Sequence, residues 1–238
     1  MKKIVVGMML AASVLSTASA SAAGWGDWVP QNVGATVTQY ASYAGIIKKT
    51  WDKQSLENII QGKFDVPDEA INAVLEQEVS DSDQVKALKV TSRSDGRLDI
   101  HADTKTYGGV DISGTIDSCV HDGDTSYITY TVKDKDLENH GGLTGWMFSH
   151  ISLSMMEKLV GHIEVSDDVT TKIKSNTVTV DYSQALKKSE FAQASVAGYN
   201  LLDALRIEGA VPHDGYIEIE TSLNVPDGVK DTLRSILD

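Results

Sequence analysis

The sequence predicts an α+β domain: a long, curved antiparallel sheet wrapped around a helix, with an N-terminal helical segment. Three observations predict it. From Leu88 to Val132 the even-numbered positions are apolar over long stretches and the odd ones are mostly charged or polar. That is the period of a strand with one dry and one wet face. Turn signals divide the stretch, with SDGR at 94–97, YGG at 107–109 and HDGD at 121–124. Beyond it, GWMFSHISLSMMEKLVG, Gly145 to Gly161, reads as a helix with an apolar arc wider than one partner needs.

The chain opens MKKIVVGMMLAASVLSTASASAAG. Lys2 and Lys3 precede a short apolar run from Ile4 to Leu15, and Ala18-Ser19-Ala20 offers small residues for cleavage. This is the pattern of a secretory signal peptide over 1–22, with an apolar run too short to span a bilayer. An exported protein is expected, in the periplasm of a two-membrane bacterium or outside a one-membrane one. The formal charge of −13 comes from 34 acids against 21 bases, and losing two lysines and no acid takes it to about −15. Such a chain repels nucleic acid and anionic membranes. No later apolar run is long enough for a membrane span. Cys119 is alone, so no internal disulfide forms, and the core must hold the fold.

Residues 23–66 are expected to form an N-terminal helical segment, packed as one unit with a sheet domain over 67–238. Within it Tyr40, Tyr43, Ile47, Trp51, Leu56, Ile59 and Ile60 recur at helical spacing from 35 to 61, and Gly62 stops the pattern. VPDEAINAVLEQEV places Pro67 and two acids at a helix start, with Ile71, Val74 and Leu75 on one face. Four strands in a meander follow at about 86–94, 97–106, 110–120 and 125–133. Two shorter strands, Thr170–Lys174 and Thr177–Tyr182, flank a Ser175-Asn176 turn. A short helix near 183–189, a hairpin around PHDG and an amphipathic helix in PDGVKDTLRSILD complete the chain. GGLTGW, between strand and helix without a Lys-Ser pair, reads as a flexible flap.

On a wheel of 100° per residue, Phe148, Ile151, Leu153, Met155, Met156, Leu159 and Val160 cover roughly 200°, against about 100° for an ordinary surface helix. The excess needs a second partner. It is either another helix, such as the one at 35–61, or an apolar cavity. Flexible methionines suit variable partners. Burying ten methylenes gains roughly 8 kcal/mol before ordering costs, so a dry slot alone could hold a lipid tail. The residues assigned to that slot are Phe148, Ile151, Met155, Met156 and Leu159 from the helix. From the dry sheet face they are Ile100, Ile112, Ile116, Ile128 and Tyr130. No charged anchor is evident among them.

There is no HExxH, no GxSxG, no phosphate loop and no dinucleotide fingerprint. His101 with Asp103, and the acids Asp122 and Asp124 around Gly123, are chance ligand sets on wet faces. Cys119 and His121 share one face, which by parity is the wet one, with Asp117 beside them. No catalytic residue, cofactor or metal is assigned.

The strands LKVTSRSDGRLDIHADTKTYGGVDISGTIDS and TSYITYTVKD, the helix at 145–161 and the hairpin LRIEGAVPHDGYIEIETSLNV together resemble the tubular lipid-binding (TULIP) superfamily. That group includes bactericidal/permeability-increasing protein and small bacterial exported proteins. The resemblance covers roughly residues 68–238. It implies a curved sheet around a helix with lipid in the groove. The expected partner is thus a lipid or other hydrophobic small molecule, bound without catalysis. The alternative is a structural or adhesive envelope protein with a fully packed core.

Overall fold

A computed structural model describes residues 53–80, 85–105, 108–138, 149–155 and 168–238. The signal-peptide pattern, Trp25, Trp28, the GGLTGW flap and the helix expected over 35–61 as far as residue 52 lie outside the described residues. Chain order runs α1 (Lys53–Gln61), β1 (Lys63–Pro67), α2 (Asp68–Ser80), β2 (Val85–Ser92), β3 (Leu98–Thr104), β4 (Gly108–Asp122) and β5 (Thr125–Leu137). After the segment 149–155 come β6 (Thr170–Lys174), β7 (Thr177–Asp181), α3 (Ser183–Lys188), β8 (Ser195–Val196), β9 (Tyr199–Asn200), α4 (Leu201–Ala204), β10 (Leu205–His213), β11 (Tyr216–Leu223) and α5 (Asp227–Leu237).

Among the described residues, nine strands form one antiparallel sheet in the order β1-β11-β10-β4-β5-β7-β6, with β3 also on β4 and β2 on β3. The strand β4 organises it. One edge pairs with β5 from Val110↔Leu137 to Asp122↔Thr125. The other edge is shared: Gly108–Gly114 pair with β3, and His121 and Asp122 pair with β10. Two hairpins, β2–β3 and β10–β11, therefore leave the same edge of one long strand. The alternating pattern that predicted the meander is what pairs β2 to β5 in sequence order.

The acids at the start of α2 and its helical spacing place Asp68 and Asn72 on one face, one turn apart. That face lies on the open edge of β2. The Asn72 amide donates to the Val90 carbonyl at 2.9 Å and accepts from the Val90 N–H at 2.7 Å. Asp68 accepts from the Ser92 N–H at 2.6 Å and from its hydroxyl at 2.5 Å. Two helix side chains thus satisfy backbone groups that an edge strand would otherwise present to another chain. The adjoining face of α2 sends Ile71 and Leu75, both fully buried, into the interior.

Two apolar clusters result. The larger joins Val90, Ile100, Ile112, Ile128, Tyr130, Val180 and Ile217 from the sheet with Ile71 and Leu75 from α2 and Leu153. The second joins Leu56 and Ile59 of α1, Leu201 and Leu202 of α4, and Val229, Leu233 and Ile236 of α5. The Arg234 fork grips both oxygens of Glu57, Nε at 2.6 Å and Nη2 at 3.1 Å, tying α5 to α1.

The expected strands, the SDGR and HDGD turns and the PHDG hairpin recur with shifted ends, the YGG turn falls partly outside the described residues, and the α+β class holds. The division at residue 66 does not match the pairing. Lys63–Pro67 is a strand, and it pairs with β11 from Lys63↔Glu220 to Pro67↔Tyr216. A five-residue strand ending in proline carries too little alternation to stand out from the helices on either side. The ambiguous stretch after 183 resolves into a helical turn, a two-residue hairpin and α4, whose Asn200 side chain caps the Asp203 N–H at 3.2 Å.

Candidate functional site

The antiparallel register turns the sequence into rows across β2, β3, β4 and β5. Lys89, His101, Asp111 and Asp136 stand directly opposite one another, and so do Thr91, Asp99, Ser113 and Asp134. Both rows share the wet face. They line a cavity of about 550 Å³, completed by Ile100, Ile112 and Lys135. His101 Nδ1 lies 2.7 Å from Asp111 Oδ1, so its partner is the cross-strand acid and not Asp103. Asp99 Oδ1 and Ser113 Oγ, opposite each other in this wall, are buried atoms without a hydrogen-bond partner among the described residues.

The dry face holds the row between these two, Val90, Ile100, Ile112 and Lys135. Ile100, Ile112, Ile128 and Tyr130 lie together in the larger cluster as the sequence expected, and Ile116 packs half-buried at its margin. Phe148, Met156 and Leu159 lie outside the described residues. Ile151 packs half-buried on the same cluster, but Met155 is 54% exposed. The segment 149–155 is also not a continuous helix. Helical turns at Ser149–His150 and at Leu153–Met155 are interrupted at Ile151 and Ser152. Its anchors are tertiary: the Leu153 N–H donates to Asn176 Oδ1 at 3.1 Å, and the Ser154 N–H to the Ser175 carbonyl at 2.9 Å. Bonds to the β6–β7 turn replace bonds along the helix, and they drive Leu153 into the core while Met155 faces water.

Lys135 is the residue that sequence reasoning missed. The expected strand ended at 133, whereas β5 continues to Leu137 with an irregularity between Val132 and Asp134. An extra residue there, Lys133, inverts the parity. Lys135 therefore stands opposite Ile112 on the dry face, half-buried, with Nζ 3.1 Å from the Ser149 carbonyl. Burial lowers its ammonium pKa. No carboxylate among the described residues pairs with it. The acidic run DKDLE masked this lysine as part of a solvated end.

A second irregularity, between Ile116 and Ser118, overturns the expectation for Cys119 and His121. Past Asp117 the odd positions turn inward. Cys119 and His121 are buried, while Val120 is only partly so. Burial pushes the Cys119 thiol up to about 12. His121 is held between the Ser126 hydroxyl at 2.7 Å and the Leu202 carbonyl at 2.8 Å, and burial lowers its pKa. The Leu202 carbonyl can only accept, so Nε2 carries the hydrogen that points to it. This pair is packing, and Asp117 stays exposed outside it. Asp122 and Asp124, weighed as calcium ligands, pair instead with Arg206 and Lys187.

No helix among the described residues is long and apolar enough to cross a membrane. Comparison with family models, with curated proteins and with solved structures gives no match.

Proposed function

We propose that this chain is an exported, non-enzymatic binding protein for a lipid-like ligand, held beside the dry face of the sheet under the chain around 149–155. A carrier in envelope maintenance would use such a site. The observation that carries the reading is Lys135, a half-buried cation on an otherwise apolar row that, among the described residues, meets the Ser149 carbonyl and no carboxylate. A ligand with an anionic head would restore the interaction that burial takes from this ammonium group. Beside the same cluster Ile116 and Ile151 are half-buried, leaving apolar surface for a tail. The basic start and small-residue cleavage pattern at 1–22 support export. The inert, buried setting of Cys119 supports binding over nucleophilic catalysis.

One observation favours the packed-core alternative. Ile100, Ile112, Ile128 and Tyr130 are already buried by the protein's own side chains. Native mass spectrometry of tag-free protein separates the readings. A lipid mass should travel with the wild type, be lost from Lys135→Ala and persist in Lys133→Ala. Lys133 is exposed on the same strand, so its change removes a charge without touching the dry face. A clean unliganded mass for the wild type, or equal retention by both variants, sinks the lipid reading.

A further inference from the structure

The polar face of β2–β5 carries a second constellation, on the side of the sheet opposite to Lys135. His101 from β3, Asp111 from β4 and Glu138 just past β5 bring one imidazole nitrogen and two carboxylate oxygens within 4.8 Å of one another. Two adjacent strands and the residue that follows a third supply them, so the sheet pairing sets their spacing. Register places His101 directly opposite Asp111. Glu138 reaches them because of Gly109. Its backbone N–H donates to the Gly109 carbonyl at 2.8 Å, and its carboxylate lies across that glycine. A Cβ at residue 109 would stand 2.2 Å from Glu138 Oε2, so any other residue there would push the carboxylate away. The absent side chain at Gly109 is what aims Glu138 over the face.

The surroundings favour a cation. Asp136 stands opposite Asp111 in the same row, and the next row adds Asp99 and Asp134. Arg93 and Arg97 compensate the acids of that second row, through Asp99 and Asp134 respectively. The row of His101 and Asp111 has only Lys89. The cavity lined by His101 and Asp111 also contains two buried oxygens, Asp99 Oδ1 and Ser113 Oγ, without a partner among the described residues.

We propose that His101, Asp111 and Glu138 form a site for a divalent transition-series cation such as Zn²⁺, open on the cavity side. The mixed nitrogen and oxygen donor set suits that class over Mg²⁺ or Ca²⁺, which take oxygen ligands. Donors on one ion at about 2.1 Å lie roughly 3.4 Å apart, so a small turn of the exposed Glu138 side chain closes the site. The ion takes the place of the direct contact between His101 Nδ1 and Asp111 Oδ1. Three protein donors leave a coordination position facing the cavity, where water or a polar ligand completes the shell.

Tag-free protein stripped with chelator and titrated with Zn²⁺ in a calorimeter tests this. One saturable site is expected, weakened at least tenfold in His101→Ala and in Glu138→Gln, with Co²⁺ giving a visible absorption band that both variants lose. Asp111→Asn, the smallest change, serves if either of those fails to fold. Absence of saturable heat in the wild type overturns the site. So does binding within twofold of wild type in the variants, or full displacement of Zn²⁺ by millimolar Mg²⁺, which would mark a diffuse acidic surface.

Discussion

The Tyr130 hydroxyl donates to the Leu98 carbonyl at 2.7 Å, crossing the intervening strand β4 to do so. Tyr130 is on β5 and Leu98 on β3. The ring makes the crossing over Gly114, where a Cβ would stand 2.7 Å from its Cζ and 2.2 Å from the Thr131 carbonyl. Three strands are thereby clasped at the point where β3 stops pairing with β4. Gly114→Ala forces either the ring or the β5 backbone to move, and overpacking of this kind costs about 1–3 kcal/mol. Tyr130→Phe leaves the Leu98 carbonyl without its donor and costs about 1 kcal/mol. Urea unfolding of both variants should give that order; an unchanged midpoint for Gly114→Ala would show that the clasp is slack.

The clamp of α2 on β2 makes a different prediction. Asn72→Ala removes both partners of Val90 at once, so the cost is that of two partly buried backbone groups, about 1–3 kcal/mol. The freed edge also becomes a template for another chain. Loss of stability accompanied by concentration-dependent light scattering is expected, whereas Asn72→Asp, which keeps the acceptor for the Val90 N–H, should scatter less.

His121 makes stability depend on pH. Its folded pKa is depressed by burial, so the unfolded chain binds the proton more readily. The contribution of this residue is complete above the unfolded value of about 6.5, and it is lost as pH falls from there toward the folded value. Denaturant midpoints of the wild type should decline from pH 7.5 to 5.5 more than those of His121→Gln. Parallel declines would place the proton uptake elsewhere.

Cys119 should be chemically silent. Burial holds its thiol near 12, with Tyr182 as its polar neighbour, so almost no thiolate forms at neutral pH. Native protein is expected to give no colour with a thiol-exchange reagent and to release one equivalent once denatured. Fast labelling of the native state would mean that the β4 bulge opens.

Much of the architecture was legible in local pattern. The strands β2 to β7, the hairpin β10–β11, the helices α2 and α5, and the end of α1 at Gly62 are all local features. Each follows from periodicity or turn chemistry within a few residues. The dry face was read correctly at Leu88, Val90, Ile100, Ile112, Ile128 and Tyr130, because parity holds wherever pairing is regular. It failed at Cys119 and His121, and it was not extended to Lys135, beyond the expected end of the strand at 133. Each lies past an irregular step in the β4–β5 ladder, and one extra residue moves every later side chain to the other face. Nothing in DSC or DKDL announces that step.

By itself the sequence determined the strands β2 to β7, the last hairpin and helix, the α+β class and the division of each regular strand into wet and dry positions, because these depend on neighbours a few residues apart. Tertiary structure alone decided that His101 meets Asp111 and Glu138, that Tyr130 is spent on Leu98, and that Lys135 turns toward the core. Those outcomes depend on register, bulges and the missing side chains of Gly109 and Gly114, which are settled only when distant strands pair.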